Sequence, residues 1–542
     1  METALTENET TESSDEEHDP SVADASLLED KFPEWFRTSA AAAGLVALVS
    51  FTFLLFNLRP LWHTDLWGHL SYGRHIWNSG ALPSTEPLMS LAVGSSFVDS
   101  SWLCQVLGYG AWLVGGKAAL ASGFGAVVAL ALGLLLFRVH NRTRSGLFAT
   151  LAFGLTVWIN WHQLAIIRPQ AIGFLMFCGL FCGLMRRDWS KANWWLVPAM
   201  FALWANIHGS FVVGLGLLGC FTLGRAIDVV RRSGNPMAML HDVKVSRLLL
   251  LTELAAVATL INPYGLGLYA TVLTFGSHPN LASIIEWQPL TISMAQGQAA
   301  AVAVLLLFFA YRVSPRRVAS AEVLTLTIFG ASALWTSRMI MWWAPLAAVL
   351  IALHGAAAWR KWRGLGLSLE PAPRASMWTI VSIGISLVVF QLSHVGGVAI
   401  AAIAGKDPSA RADKVALSRL TPVGAADFLV ENPPQGLVFN TYELGDYLQW
   451  AGPEEIQVFV NSHAHLAPPD VWNAYMNIIE RRANWLSMLD RYGVNAIVLD
   501  KQYRAPMIDS LSQNEDWRLQ FSDDRSAVFY RHKPMSITDT SR

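Results

Sequence analysis

Long apolar runs separated by short polar segments dominate residues 38–404. Runs of this kind predict membrane-spanning helices, although several are shorter than the roughly 20 residues that a straight helix needs to cross a bilayer. The eleven predicted spans lie near 38–57, 118–137, 146–166, 170–185, 194–207, 210–224, 247–262, 298–311, 319–335, 339–358 and 377–400. We therefore predict an α-helical polytopic membrane domain over 38–404, with a first outer loop at 58–117.

The pattern changes after residue 404. Short apolar runs rich in β-branched residues alternate with helical stretches, which predicts a small sheet with helices. The predicted strands lie at 436–439, 456–460, 495–499 and 526–530, and the predicted helices around 422–430, 470–490 and 505–513. Residues 405–542 are therefore predicted to form a soluble α/β domain, called the tail domain below.

Composition supports this division. Charged residues make up 15% of the chain and the mean hydropathy is +0.36, whereas soluble proteins average about 25% charged residues. A typical cytosolic enzyme is thereby excluded. Residues 1–37 carry twelve acids and two bases, so we predict a disordered acidic tail there.

The basic residues predict the orientation. Residues 38–404 contain twenty-three bases and only ten acids. Eighteen of those bases fall in five clusters, and with eleven spans all five clusters lie on the same face of the membrane. The positive-inside rule makes that face cytoplasmic. The amino terminus is then cytoplasmic and the tail domain extracytoplasmic, in an inner (plasma) membrane protein.

Residues 100–116 form one further apolar stretch in the first outer loop. If this stretch spanned the membrane, the loop or the amino terminus would change sides and the charge partition would be lost. We therefore predict a helix that lies in, or dips into, the outer leaflet.

Several familiar motifs do not occur in the sequence. There is no Walker A loop, no dinucleotide glycine fingerprint, no HExxH and no GxSxG. Nucleic-acid binding is not expected, because no basic stripe lies outside the cytoplasmic loops. The four cysteines fall in apolar segments and predict neither disulfides nor a zinc site.

Polar residues gather at the predicted outer ends of the spans, where ionisable groups are costly and therefore indicate a functional site. The candidates are Asp65, His69, Asp99, Arg168, His208, Asn262, Tyr264, Glu286 and Arg338. Asp65 and His69 are spaced i, i+4 and share one helix face.

Each candidate also has a structural explanation. Asp65 and Asp99 are both suited to capping a helix, and His69 fits a structural histidine. Arg168, before Pro169, either ends a helix or holds a phosphate, while His208 either binds an anion or bonds a backbone carbonyl. As single acids in loops, Glu86 and Glu286 are expected to be solvated.

These residues belong to short motifs that resemble bacterial multi-pass proteins of the type C glycosyltransferase (GT-C) fold. The motifs are TDLWGHLSYGR at 64–74, GALP at 80–83, FVDSSWL at 97–103, RPQ at 168–170, NIHGS at 206–210, NPYG at 262–265, EW at 286–287, NTYELGDY at 440–447 and YGVNAI at 492–497. The resemblance covers roughly residues 38–532.

The resemblance implies a relative of protein O-mannosyltransferases, lipid A aminoarabinose transferases and oligosaccharyltransferases. Such enzymes take a hexose or pentose from a polyprenyl-phosphate donor, and the acceptor here is a glycan, lipid or protein. Asp65 would be the general base, with His69 and Asp99 beside it, and the reaction would invert the anomeric carbon. Arg168, His208 and Arg338 would neutralise the leaving phosphate, and Asn262, Tyr264 and Glu286 would complete the substrate site.

The chain departs from those relatives at two places. Where they commonly have His-Glu before the Trp-Leu pair, this chain has Ser100-Ser101, and where they have Asp-Gly-Arg after a tail strand, it has Asn461-Ser462-His463. No residue is assigned as a metal ligand, and a divalent cation stays open as a cofactor. The alternative functions are a non-catalytic or transport protein that binds a lipid-linked glycan, and a membrane scaffold.

Overall fold

The computed structural model describes residues 29–62, 64–186, 190–364, 372–412 and 414–534. Residues 1–28 of the predicted acidic tail lie outside this part of the chain. Between residues 40 and 412, the described chain contains fifteen α-helices: α1 Ala40–Asn57, α2 Thr64–Ser79, α3 Trp102–Thr143, α4 Gly146–Leu164, α5 Gln170–Leu184, α6 Asn193–Ile207, α7 Phe211–Ser233, α8 Val243–Ala258, α9 Gly267–Phe275, α10 Ala295–Val313, α11 Ser320–Trp335, α12 Ile340–Trp362, α13 Ser376–Leu392, α14 His394–Ile403 and α15 Ser409–Ala412.

All eleven predicted spans coincide with helices. By length and apolar composition, five helices of the described chain can cross a membrane: α1, α3, α7, α10 and the stretch Ser337–Trp362 that contains α12. The predicted span at 377–400 is not one straight helix, because α13 and α14 meet at Ser393 with a bend of 83°. The Ser393 side chain accepts a hydrogen bond from the Gly396 amide and so caps α14. The total of eleven spans stays a prediction.

Helix α12 is the centre of the bundle. Nearly all of its residues from Ile340 to Leu353 are buried, and it packs against α3, α4, α5, α10 and α11. Small residues along it (Ala344, Ala347, Ala348 and Ala352) let neighbouring helices approach closely, which is how helices associate in lipid.

The apolar stretch at 100–116 ends at a break in α3. Gly115 and Gly116 have non-helical dihedrals, and Gly116 has a φ of 53°, which favours glycine. The part of α3 before this break is about three turns long and packs against α2. The break is consistent with the prediction of a helix that does not itself span the membrane.

The tail domain contains helices α16 Val423–Glu431, α17 Tyr442–Ala451, α18 Pro469–Ile479, α19 Trp485–Arg491 and α20 Lys501–Ser512, and strands β1 Leu437–Asn440, β2 Gln457–Val458, β3 Val494–Asp500, β4 Trp517–Ser522 and β5 Ser526–Arg531. The sheet order is β2-β1-β3-β5-β4. The first three strands are parallel, and β5 runs antiparallel to both β3 and β4. The α/β prediction is confirmed, although it missed α17 and β4.

Helix α2 connects the tail domain to the membrane bundle. A Cβ atom at Gly73 would lie 2.2 Å from the Gln105 carbonyl oxygen of α3, and one at Gly68 would lie 2.5 Å from the Asp446 carboxylate of α17. Two glycines therefore allow α2 to lie closely between the bundle and the tail domain. Leu61, just before α2, adds backbone hydrogen bonds with Ala416 and Ser418, each 2.9 Å long.

Candidate functional site

A cavity of about 1210 Å³ lies between one end of the helical bundle and the tail domain. Seven of the nine predicted site residues line it: Asp65, His69, Asp99, Arg168, His208, Glu286 and Arg338. The tail domain contributes Tyr442, Glu443, Ser462, His463 and His465. The fold thus brings together residues that are distant in sequence and belong to both domains.

An ion network runs along the wall of this cavity. Arg168 precedes α5 and pairs with Asp65 in the first turn of α2. Its Nη1 atom also lies 2.7 Å from Glu286 Oε2, and Arg338 Nη1 lies 3.1 Å from Glu286 Oε1. Arg338 Nε donates to Gln170 Oε1 at 3.2 Å. Two arginines and two carboxylates therefore form one continuous network.

Burial makes these charges depend on one another. The Arg168 side chain is 7% exposed. Its burial acts against the charged form, but Asp65 and Glu286 together raise the pKa of Arg168. Burial likewise opposes the Glu286 carboxylate, and Arg168 and Arg338 outweigh this and lower the pKa of Glu286. The expectation of a solvated Glu286 is wrong, because both of its oxygens are bound by arginines.

Aromatic rings hold Arg338 from another side. Its guanidinium lies over the Trp287 ring, 5.0 Å from the centroid, and Phe275 of α9 packs on Trp287 with centroids 5.2 Å apart. The backbone amide of Ser337 donates to the Gln288 carbonyl at 2.8 Å. The turn before α12 and the loop that carries Glu286 are therefore fixed to each other.

Asp99 and His69 are joined through Gln105. Gln105 Nε2 lies 3.1 Å from Asp99 Oδ1 and 3.3 Å from His69 Nδ1. Asp99 Oδ1 also accepts from the Ser101 amide at the start of α3, at 2.9 Å. Asp99 therefore accepts a hydrogen bond at the start of α3 and also lines the cavity. Its Oδ2 atom is buried and has no hydrogen-bond partner among the described residues.

Burial sets the charge of both groups. It raises the pKa of Asp99 to about 7, against the opposing effect of its hydrogen bonds from Ser101 and Gln105. Burial, together with the neighbouring His463, lowers the pKa of His69 to about 3. His69 is therefore a neutral imidazole near neutral pH, whereas the Asp99 carboxyl group titrates near neutral pH.

His208 follows α6 and has an extended backbone. Its Nδ1 atom accepts a hydrogen bond from the Ser210 amide at 3.0 Å, so the prediction of a bond to a backbone carbonyl is wrong. This geometry places the ring proton on Nε2. Burial and Arg338 lower the pKa of His208 well below its usual value.

Asn262 and Tyr264 are not part of the cavity lining. Asn262 Nδ2 donates to the Thr259 carbonyl at 2.7 Å, and its Oδ1 accepts from the Tyr264 amide at 2.7 Å. These bonds stabilise the turn between α8 and α9. The geometry gives Asn262 a structural role. Burial raises the pKa of Tyr264, and Asp99 is among the groups that act on its hydroxyl.

The sequence analysis did not assign the histidines of the tail domain to the site. The His463 ring lies 5.7 Å from that of His69 and 4.6 Å from that of Tyr72, and burial lowers the pKa of His463 to about 4. The His465 ring packs on Phe275 with centroids 4.5 Å apart. The sequence did contain a signal, because the segment 461–463 differs from the motif of the proteins that the chain resembles. Ser462 and His463 of this segment line the cavity.

Glu86 is also placed differently from the expectation. It is 3% exposed, accepts from the Tyr72 hydroxyl at 2.8 and 2.9 Å, and bonds the amides of Leu88 and Met89. Glu86 therefore organises the segment between α2 and α3 instead of lying in a solvated turn.

A metal site can be tested on the same side chains. Among the described residues, no three His, Cys, Asp or Glu side chains are grouped so that they could hold a metal ion. Two carboxylates of the cavity, Asp65 and Glu286, are both bound by Arg168. The divalent cation considered from sequence thus has no ligand set in this part of the chain.

Two of the solved structures that are similar to this chain are of one protein. Both are crystal structures of ArnT from Cupriavidus metallidurans, one bound to undecaprenyl phosphate and one in the apo state, at 13% and 14% identity. Each covers 90% of this chain, with 97% and 98% of the ArnT chains matched, at a TM-score of 0.48. No protein-family model and no curated protein matches the chain. Because a likeness at this level transfers neither activity nor residue roles, these must be argued from the cavity itself.

Proposed function

We propose that this protein is a membrane glycosyltransferase that moves a sugar from a polyprenyl-phosphate donor to an extracytoplasmic acceptor. The main support for this proposal is the buried network in which Asp65 and Glu286 pair with two arginines inside one cavity. Charges at this depth are costly unless they serve a ligand or each other. A lipid-linked sugar phosphate is an anion that fits both the arginines and the apolar walls of the cavity.

The arginines fit the leaving group. A guanidinium binds phosphate oxygens through two parallel hydrogen bonds, and preorganised cations stabilise the charge that develops as the phosphate leaves. Arg168 and Arg338 both contact Glu286, so one carboxylate holds them at a fixed separation. The neutral rings of His69, His208 and His463 add hydrogen-bonding groups without adding charge.

Asp65 fits the general base. It would take the proton of an acceptor hydroxyl as that oxygen attacks the anomeric carbon, the bond between sugar and phosphate oxygen breaks, and the configuration inverts. A phosphate leaves readily, so a single carboxylate suffices. Arg168 pairs with Asp65, and a donor phosphate that draws Arg168 away would make Asp65 a stronger base.

The cavity admits both substrates at once. Its volume exceeds the usual 300–1000 Å³ of a small-molecule site. Tyr442, Glu443, Ser462, His463 and His465 reach it from the tail domain, so we assign acceptor contacts to that side and donor contacts to the bundle. The distribution of basic loops supports an extracytoplasmic position for this cavity.

The test is sugar transfer by the purified full chain in lipid, with radiolabelled polyprenyl-phosphate sugars as donors. We expect Asp65→Asn to reduce transfer about 10²–10⁴-fold, the usual contribution of a general base. Glu431→Gln, at an exposed acid of α16, serves as the control and should match the wild type. Donor binding without turnover in the wild type would instead support the non-catalytic alternative, and equal turnover by Asp65→Asn would remove Asp65 as the base.

A further inference from the structure

A second cavity, of about 500 Å³, lies at the opposite end of the helical bundle. Helices α3, α5, α7 and α12 each contribute residues to both cavities. Along α5, for example, Gln170 lines the first cavity and Leu184 lines the second. The two residues are fourteen positions apart, which corresponds to about 21 Å of helix. The two cavities therefore lie near opposite faces of the membrane domain.

The lining of the second cavity combines positive charge with apolar surface. Among the described residues, its cations are Arg142, Arg186, Arg225, Lys244, Arg247 and Arg316, and its acids are Asp228 and Glu322. The remaining wall is mostly apolar, with Phe181, Phe221 and Leu350 among its residues. A site of this composition suits a ligand that has both an anionic group and a hydrocarbon part.

Most of the acids near this cavity are already engaged. Asp228 accepts from the Ser320 hydroxyl at 2.7 Å, and Glu322 is bound by Arg316 at 2.6 Å and by His354 at 3.0 Å. Asp242, outside the lining, pairs with Arg225 at 2.6 Å. Counted over the described residues alone, six cations and these three acids leave three more positive than negative charges around the cavity.

Helix α8 supplies the clearest part of that excess. Among the described residues, no acid lies within ion-pair distance of Lys244 or Arg247, and both side chains are exposed. They are three positions apart on α8, so they lie on the same face of the helix. The adjoining Leu249 and Leu250 are each 48% exposed, which continues an apolar surface away from the two cations.

Helix ends do not account for these cations. Elsewhere in this region, arginines bind the carbonyl groups that helix ends leave unpaired: Arg138 donates to the Cys182 carbonyl of α5, and Arg360 donates to the Thr143 carbonyl of α3 at 3.1 Å. Lys244 and Arg247 lie instead near the start of α8, where the helix dipole favours anions. The Asp242 carboxylate caps this end of α8 through the Lys244 and Val245 amides, but its ion pair is with Arg225, so the side chains of Lys244 and Arg247 are available to an anionic ligand.

We propose that the second cavity binds the phosphate headgroup of an anionic membrane phospholipid, with Lys244 and Arg247 as its main cationic contacts. Basic pockets between helices at the cytoplasmic face recognise such headgroups through charge and hydrogen bonds. The acyl chains would pack along the apolar wall and the exposed leucines of α8. The site is separate from the sugar-transfer cavity and does not depend on the function proposed for it.

Lipid binding to the purified full chain tests this assignment by native mass spectrometry. Phosphatidylglycerol and phosphatidylcholine with identical acyl chains are titrated separately, and inorganic phosphate is titrated without lipid. We expect the wild type to bind phosphatidylglycerol in preference to phosphatidylcholine. The double variant Lys244→Gln/Arg247→Gln should bind phosphatidylglycerol at least tenfold more weakly, because each cation near an anionic headgroup contributes a several-fold gain in affinity.

The matched control is Arg231→Gln/Arg232→Gln, which removes two exposed cations at the end of α7 that do not line the cavity. This control should change phosphatidylglycerol binding less than twofold. Equal binding of the two lipids, or an equal loss in the control, would overturn the proposal. Inorganic phosphate binding as tightly as the lipid would overturn the lipid assignment and indicate a site for free phosphate.

Discussion

The guanidinium of Arg168 and the carboxylate of Asp65 form an ion pair between the turn before α5 and the first turn of α2. Because Arg168 also holds Glu286, one planar side chain fixes the geometry of both carboxylates. A guanidinium can do this since its donors form a rigid fork, whereas an ammonium is a single point charge.

Arg168→Lys should therefore retain the charge and lose the geometry. We expect kcat/KM for sugar transfer to fall about 10–100-fold, the cost of misplacing groups by about an ångström. The control is Arg138→Lys, whose parent arginine bonds a carbonyl at the other end of the bundle. Transfer by Arg168→Lys at the wild-type rate would show that the two hydrogen-bonding directions are not needed.

A second prediction concerns Asp446 of α17. Burial raises the pKa of Asp446 to about 7, although Thr64 and Ser462 donate hydrogen bonds to its carboxylate. A folded-state pKa above the unfolded value means that the folded protein binds more protons. Stability should therefore decrease as the pH rises from about 4 to about 7 and then level off.

Asp446→Asn removes this titration and keeps an oxygen acceptor. We expect the variant to lose less stability than the wild type between pH 5 and pH 8, with a difference of no more than about 4 kcal/mol. Thermal unfolding at the two pH values measures the change. If both proteins respond equally to pH, Asp446 is not a source of the pH dependence.

Hydropathy predicted where the helices lie because an apolar run reports burial or lipid exposure whatever its neighbours are. It did not predict which helices meet, so the bend at Ser393 and the path of α2 were found only in the structure. Edge strand β4 lies at the surface, with four of its six residues exposed and only Trp517 buried, and it was missed in the sequence. Helix α17 was missed because its segment, YELGDYLQWA, carries polar residues that become buried only against α2.

The candidate site was predictable to a similar extent. Charge partition placed Asp65, Arg168 and Arg338 at one face of the membrane, and the cavity contains them all. The pairing of Arg168 with both carboxylates depends on side-chain geometry that spacing does not encode. His463 was not assigned because its distance in sequence from α2 gives no indication that the two rings approach.

Gly73 provides a test of the close packing of α2. A Cβ atom there would lie 2.2 Å from the Gln105 carbonyl oxygen, which is backbone and cannot rotate away. We expect Gly73→Ala to destabilise the protein by about 1–3 kcal/mol, the usual cost of overpacking. Gly123→Ala in α3 is the control, because no atom lies within 4 Å of its Cβ position. A Tm for Gly73→Ala equal to that of the control would contradict the close approach.

Arg74 is predicted to hold the tail domain against α2. Its Nη1 and Nη2 atoms donate to the Trp450 and Gln449 carbonyls at 3.2 and 3.0 Å, and its guanidinium lies 4.6 Å from the centroid of a Trp450 ring. These carbonyls end α17, where the helix dipole favours a cation. Removing the side chain should weaken the contact between the two domains without unfolding either one.

Hydrogen–deuterium exchange of the full chain measures this contact directly. We expect Arg74→Ala to accelerate amide exchange about tenfold in α17 and at Ser418, whose amide bonds the Leu61 carbonyl. A tenfold change corresponds to about 1.4 kcal/mol of lost protection. Arg518→Ala, at an exposed position of β4 in the same tail domain, should leave exchange there unchanged. Unchanged exchange in Arg74→Ala would mean that Gly68, Leu61 and their partners suffice to hold the tail domain in place.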